Sequence, residues 1–160
     1  SSELWLNEAL GYGTYSWVLG SDISNMDPNA VLGLFTWDNN PDQYNREIDF
    51  EASRWGDPAR TTNAQWVVQP YYQPGTMTRW TIGSSVPQVI RFTWRPGTVR
   101  FQALAGAQVV SDWTYTGPYV PTPGDERVFL NLYLDHGRSP MNGKGTEVVI
   151  NSFTFQRPNP

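Results

Sequence analysis

The 160-residue chain contains no cysteine. Disulfides and thiol catalysis are excluded, and the redox compartment stays open. It contains one histidine, His136. Without a second His or a Cys, a transition-metal site built on imidazole or thiolate has too few ligands. Charge is sparse: 16% of residues are Asp, Glu, Lys or Arg, with eleven basic against fifteen acidic and a net charge of −4. No basic patch stands out, which argues against nucleic acid as a partner. No apolar run approaches the roughly 20 residues of a membrane-spanning helix. No signal-peptide pattern opens the sequence at Ser1, so a mature secreted protein and a cytosolic one would both read this way. Neither a phosphate-cradling Gly-rich loop nor a G-x-S-x-G nucleophile elbow is present. Linkers, internal repeats and low-complexity tracts are missing too. No segment holds a 3.6-residue apolar period over three turns.

Apolar and aromatic residues are plentiful: 39% of the chain is hydrophobic and 14% aromatic, with eight Trp and eight Tyr. That is enough for the core of one domain. Fourteen Gly and thirteen Pro, many in turn-like clusters, divide the chain into short alternating segments. These are expected as strands around Leu4–Leu6, 11–17, 31–37, 47–51, 63–69, 77–82, 89–94, 98–104, 127–134 and 147–155, with Arg95-Pro96-Gly97 as a tight turn. At most a short helical turn is expected over 27–31. The reading is an all-β, two-sheet jelly-roll sandwich. Several strands carry one apolar face and one face of aromatics and amides. Aromatic rings stack on the apolar faces of sugars while amides and carboxylates bind hydroxyls.

Residues 47 to 51 read Glu-Ile-Asp-Phe-Glu. In a strand, Glu47, Asp49 and Glu51 share one face, with Ile48 and Phe50 on the other. Strands are depleted in Asp and Glu, and three neighbouring like charges repel. A solvated edge strand is the plain explanation. Paired carboxylates for glycoside chemistry are the functional one. Four residues of strand span about 13 Å between Cα atoms, whereas retaining carboxyl pairs stand roughly 5–5.5 Å apart. Long Glu side chains leaning together over a curved sheet close most of that gap. Crowding would raise at least one of the pKa values, as a proton donor working near neutrality requires.

An ordered set of segments resembles glycoside hydrolase family 16, which includes lichenases, laminarinases and xyloglucan transglycosylases. It comprises Ser1 to Tyr15, Leu34-Phe-Thr-Trp37, the acidic strand, Thr61 to Trp66, Phe92 to Gly97, Pro121 to Gly124 and Asn131-Leu-Tyr133. The resemblance covers nearly the whole chain. It implies a curved jelly roll with the acids on its concave face, Glu47 as nucleophile, Glu51 as general acid/base, and Asp49 orienting Glu47. It further implies substrate contacts from Trp37, Tyr133, Phe35, Gln65, Gln69, Asn131, Glu3 and Trp5. By strand parity, Trp66 and Trp94 fall in the core. His136 reads as a surface-loop residue. Trp5 stands where the lichenases carry a substrate-binding arginine, Asn45 where a tryptophan usually precedes the acids, and Val67 where a polar cleft residue is usual. Asn151 lies where some members have a calcium-binding aspartate; no cofactor is expected, with a structural calcium as the one option.

The implied activity is endo-acting, retaining hydrolysis of internal β-1,3 or β-1,4 glucosidic bonds by a secreted protein acting on a polysaccharide. A transglycosylase and a non-catalytic carbohydrate-binding protein on the same scaffold stay open at this point. The match at Ser1 begins downstream of the family's first strands. Residues 1–160 are therefore expected to form one glucanase-like domain within a longer protein, or one that pairs with another segment or chain.

Overall fold

A computed structural model describes residues 1–158. Its eleven strands, in chain order, are β1 (Ser2–Ala9), β2 (Gly13–Leu19), β3 (Ala30–Trp37), β4 (Ile48–Ala52), β5 (Ala64–Val68), β6 (Met77–Trp80), β7 (Val89–Arg95), β8 (Thr98–Ala105), β9 (Gln108–Tyr115), β10 (Arg127–Leu134) and β11 (Ile150–Gln156). They form two antiparallel sheets, a six-stranded one ordered β1-β10-β3-β4-β5-β6 and a five-stranded one ordered β11-β2-β7-β8-β9. The jelly-roll reading holds.

Alternation decides which face each strand buries. Tyr15, Trp17 and Leu19 of β2 are buried, as are Ile90, Phe92 and Trp94 of β7 and Val99, Phe101 and Ala103 of β8. From the facing sheet come Leu32, Leu34, Ile48, Phe50, Trp66 and Val68. Trp66 and Trp94 are core residues, as expected. Trp66 stacks on Trp80 at 5.5 Å and packs against Phe50 and Phe101. Its indole N–H donates to Ser111 Oγ at 2.9 Å, tying the two sheets together. Burying each such side chain contributes about 1.5–3 kcal/mol.

The central strands of the larger sheet are covered on both faces. All five residues of β5 are buried, as are the first five of β3. Their outer face therefore carries something other than solvent-facing polar residues: it carries the site. The edge is different. All eight residues of β1 are exposed, and Leu4 keeps 65% of its surface.

Boundaries differ from expectation at several strands: β1 runs beyond Leu4–Leu6, β2 covers Gly13–Leu19 rather than 11–17, and β6 ends at Trp80 rather than 82. The acidic strand is hydrogen-bonded over Ile48–Ala52, one residue late. Strand β11 starts at Ile150 rather than 147. Strand β9, Gln108–Tyr115, was not anticipated; it follows the turn at Ala105-Gly106-Ala107, where Gly106 has φ +59°. The Pro96-Gly97 turn is present between β7 and β8, with Gly97 at φ +70°, a conformation only glycine adopts freely. At 27–31 there is a single turn, closed by Ala30 N–H to Asp27 O at 2.9 Å.

Candidate active site

The register places the acids among their neighbours. Asp49 pairs with Phe35 on one side and Val67 on the other; Glu51 pairs with Gly33 and Gln65. On β10, Phe129 pairs with Phe35, Asn131 with Gly33 and Arg127 with Trp37. On β1, Glu3 pairs with Asn131 and Trp5 with Phe129. Cross-strand partners share a face. The outer face of the larger sheet thus gathers Glu47, Asp49, Glu51, Gln65, Phe35, Trp37, Asn131, Tyr133, Glu3 and Trp5, and Gln69 reaches the same cluster through its side chain. All the residues named from the sequence are on it.

Glu47 lies just before β4, but its backbone is extended (φ −88°, ψ 119°). Its carbonyl accepts from Gln69 N–H at 3.1 Å, which carries the ladder one residue beyond the strand. An unusual turn delivers it there. Tyr44, Asn45 and Arg46 have φ of 48°, 60° and 48°, three consecutive left-handed residues of which only Asn is at ease there. Such strain survives only where the surroundings over-determine it. Here Asn45 Nδ2 donates to Asp38 O at 2.8 Å, Arg46 Nε to Thr122 O at 2.7 Å and Thr36 Oγ1 to Arg46 O at 2.8 Å. The Arg46 guanidinium also pairs with Asp38.

Two amides hold the other acids. Gln65 Nε2 donates to Glu51 Oε2, and Gln65 Oε1 accepts from Arg79 Nε at 3.1 Å. Gln69 Nε2 donates to Asp49 Oδ2 at 3.0 Å, and its Oε1 accepts from Tyr71 N–H at 2.8 Å. In each, the second contact fixes which end of the amide faces the carboxylate.

Burial and crowding shift all three acids upward. Glu47 rises from its ordinary 4.5 to about 7, driven by loss of water and then by the Glu51 charge; a hydrogen bond from Asp49 opposes the rise. Asp49, 3% exposed, rises well above the carboxylate range through burial and the charges of Glu47 and Glu51. Burial also raises Glu51, against the donor from Gln65. The three acids titrate as one cluster, and a proton held between Asp49 and Glu47 favours the ionised form of the partner. Tyr133 is pushed up by burial and by the acids around it, Glu51 first, so its phenol stays a donor.

An aromatic patch adjoins the acids. Phe129 stacks on Phe35 at 5.4 Å and on Trp5 at 6.2 Å, and meets Trp37 edge-on at 6.0 Å. Beyond Trp37 the face opens into a cleft of about 560 Å³ bordered by Asp38, Asn40, Pro41, Arg127 and Phe129. Sequence reading named neither Phe129 nor Arg79 for the site. The parity of Phe129 with Asn131 was the available signal for the first; the second needed the β5–β6 register, Gln65 against Arg79. Tyr71 and Tyr72, 59% and 67% exposed, follow Gln69 in a loop, and the Tyr71 N–H anchors the Gln69 amide. His136 is exposed in its loop, with Nδ1 3.0 Å from Asp135 Oδ2. A calcium ion takes six to eight oxygens; among the described residues no group of three or more His, Cys, Asp or Glu side chains gathers to hold a metal, at Asn151 or elsewhere.

Solved structures share this architecture. A β-glucanase of Bacillus licheniformis superposes with a TM-score of 0.62 at 20% identity, over 98% of this chain and 71% of its own. The fold is that of the family 16 β-glucanases. A lichenase from a mouse hindgut metagenome gives 0.61 at 16% identity, over 98% and 71%. A transglycosylase, Crh5, solved with NAG gives 0.63 at 16% identity, over 99% and 69%. Neither a family model nor a curated protein sequence matches the chain. The glucanase fold is thus shared at low identity, with about 70% of each neighbour's length represented.

Proposed function

We propose that the protein is an endo-acting, retaining glycoside hydrolase cleaving internal β-glucosidic bonds of a polysaccharide. One observation carries the reading: three carboxyls on alternate positions face outward together, two of them held by oriented glutamine amides. In the first step the Glu47 carboxylate attacks the anomeric carbon and the glycosidic C–O bond breaks. The Glu51 carboxyl gives its proton to the departing oxygen. In the second step Glu51 takes a proton from water, the water oxygen bonds the anomeric carbon, and Glu47 leaves as carboxylate. Asp49, protonated, donates to Glu47 and favours its ionised form. The raised pKa of Glu51 suits a proton donor. Trp37, Phe35, Trp5 and Tyr133 offer rings and a phenol to sugar units, with Asn131 and Glu3 as polar contacts. Secretion follows from a polymeric substrate. The resemblance to a transglycosylase supports a second outcome, in which a sugar hydroxyl replaces water in step two.

The test is Glu47→Ala. Turnover should fall at least about a thousandfold, and azide should restore it with an inverted product. Products from mixed-linkage glucan, laminarin and xyloglucan would then assign linkage and separate hydrolysis from transfer. Near-parental turnover by Glu47→Ala on every substrate the parent cleaves would overturn the assignment.

A further inference from the structure

The loop from β4 to β5 holds a second unusual backbone. Trp55 has φ +46° and Gly56 φ +77°. A bulky aromatic in the left-handed region is a genuine outlier, and such outliers concentrate at functional sites. Here the turn sets the indole ring beside two guanidinium groups. The Cζ atom of Arg79 lies 4.9 Å from the ring centroid and that of Arg60 5.6 Å. Arg79 pairs with Gln65, and Gln65 pairs with Glu51. The ring therefore lies by the face of the acids, at the end where Glu51 sits. Arg138 packs against Gly56.

These cations are short of partners. Among the described residues neither Arg60 nor Arg79 has a carboxylate within ion-pair range, and Arg60 Nε is buried without an acceptor. The one acid near Arg138 is Asp135, at 3.9 Å, and it also holds His136 at 3.0 Å. Trp55 is half-buried; stacking on it is worth about 0.5–2 kcal/mol per cation, and two guanidiniums on one ring repel each other. A planar guanidinium is matched to carboxylate and sulfate oxygens, which it binds with two parallel N–H donors. An aromatic platform flanked by such donors fits a sugar ring that bears an anion.

We propose that Trp55, Arg60 and Arg79 form a subsite for an acidic sugar ring next to Glu51, so that the polysaccharide carries carboxylate or sulfate groups. This rests on the glycosidase reading above and names the substrate class for it. Arg79 would serve twice: its Nε orients Gln65, and its terminal nitrogens are left to meet the anion.

Binding to Glu47→Gln protein, measured by calorimetry, tests this on one β-glucan oligosaccharide in three forms: neutral, carboxymethylated and sulfated. At low salt at least one substituted form should bind about tenfold tighter than the neutral one, and the gain should shrink as salt is added. Whichever of the two binds tighter identifies the anion. Arg60→Gln should remove most of the gain and leave affinity for the neutral form unchanged, which doubles as the check on folding; Arg60→Lys should keep part of it. Equal affinities for all three forms, an unaffected gain in Arg60→Gln, or no binding at all would overturn the subsite. Cleavage of neutral glucan by the parent alongside equal affinities would sink the subsite alone. Tight, Arg60-dependent binding without any cleavage would sink the hydrolase reading and keep the subsite.

Discussion

Asp49 is the shortest of the three acids and the most buried. Burial and the charges of Glu47 and Glu51 push it toward its protonated form, in which it can give a hydrogen bond to Glu47. Removing that donor lets the Glu47 pKa climb further above about 7. Asp49→Ala should therefore move the acid limb of kcat/KM to higher pH, and Asp49→Asn, which keeps an N–H donor, should not. Identical limbs in both variants would take Asp49 out of this role. The same shift has a consequence for stability. A carboxyl whose folded pKa lies above its unfolded one stabilises the fold while protonated. For Glu47 that stabilisation is complete below about 4.5 and is lost as pH rises through about 7. The rise from 4.5 to about 7 corresponds to roughly 3 kcal/mol for an isolated group and less within a coupled cluster. Glu47→Gln should thus raise Tm by several degrees at pH 8 and leave it nearly unchanged at pH 4.5, as thermal unfolding would show. An equal Tm change at both pH values would contradict it.

At the scale of elements, the central strands were legible because each obeys one period. Alternation put Phe50 and Trp66 inward and Glu51 and Gln65 outward, and the structure agrees. The connecting loops were not legible. Turn chemistry leads a reader to expect Gly, Asn or Asp at positive φ, whereas Tyr44, Arg46 and Trp55 adopt it here. Tertiary contacts impose those conformations, so no local signal announces them. Strand β9 was overlooked for a different reason: its apolar residues do not alternate, with Val109 and Val110 adjacent, and only Tyr115 is buried. Within β3, Gly33 shows what a strand glycine is for. It stands opposite Glu51, and a Cβ there would come within 2.6 Å of Asn131 Oδ1 and 3.4 Å of Phe35 Cδ1. The space a side chain would take is filled by the Asn131 amide, which the glycine lets lie across this face. Gly33→Val should raise KM about tenfold or more while kcat changes less, since its first effect is to displace the Asn131 amide. Trp37→Ala is expected to weaken substrate binding more than it lowers Tm. A loss of stability that matches the loss of binding would instead make Trp37 a packing residue.

The molecule as a whole is well sealed in the middle and open at one side. Trp17, Trp66, Phe92 and Phe101 are fully buried at the centre, while among the described residues β1 pairs only with β10 and its other edge is free. An eight-residue edge with exposed Leu4, Trp5 and Leu6 is the type of surface that recruits another strand. Nothing in β1 blunts it: the strand has no Pro and no Lys, and its two acids are Glu3 and Glu8. Leu4 and Leu6 have the parity opposite to Glu3 and Trp5, so they belong to the side facing the inter-sheet space. A covering strand, from the same polypeptide or from a second copy, would bury them without touching the face that carries the acids. Residues 1–160 on their own should therefore associate as concentration rises, measurable by sedimentation velocity. Leu4→Lys with Leu6→Lys should return the chain to monomer and leave kcat on a short oligosaccharide unchanged, because neither side chain is on the acid-bearing face. A chain that stays monomeric at every concentration, with or without the two lysines, would show that this edge protects itself.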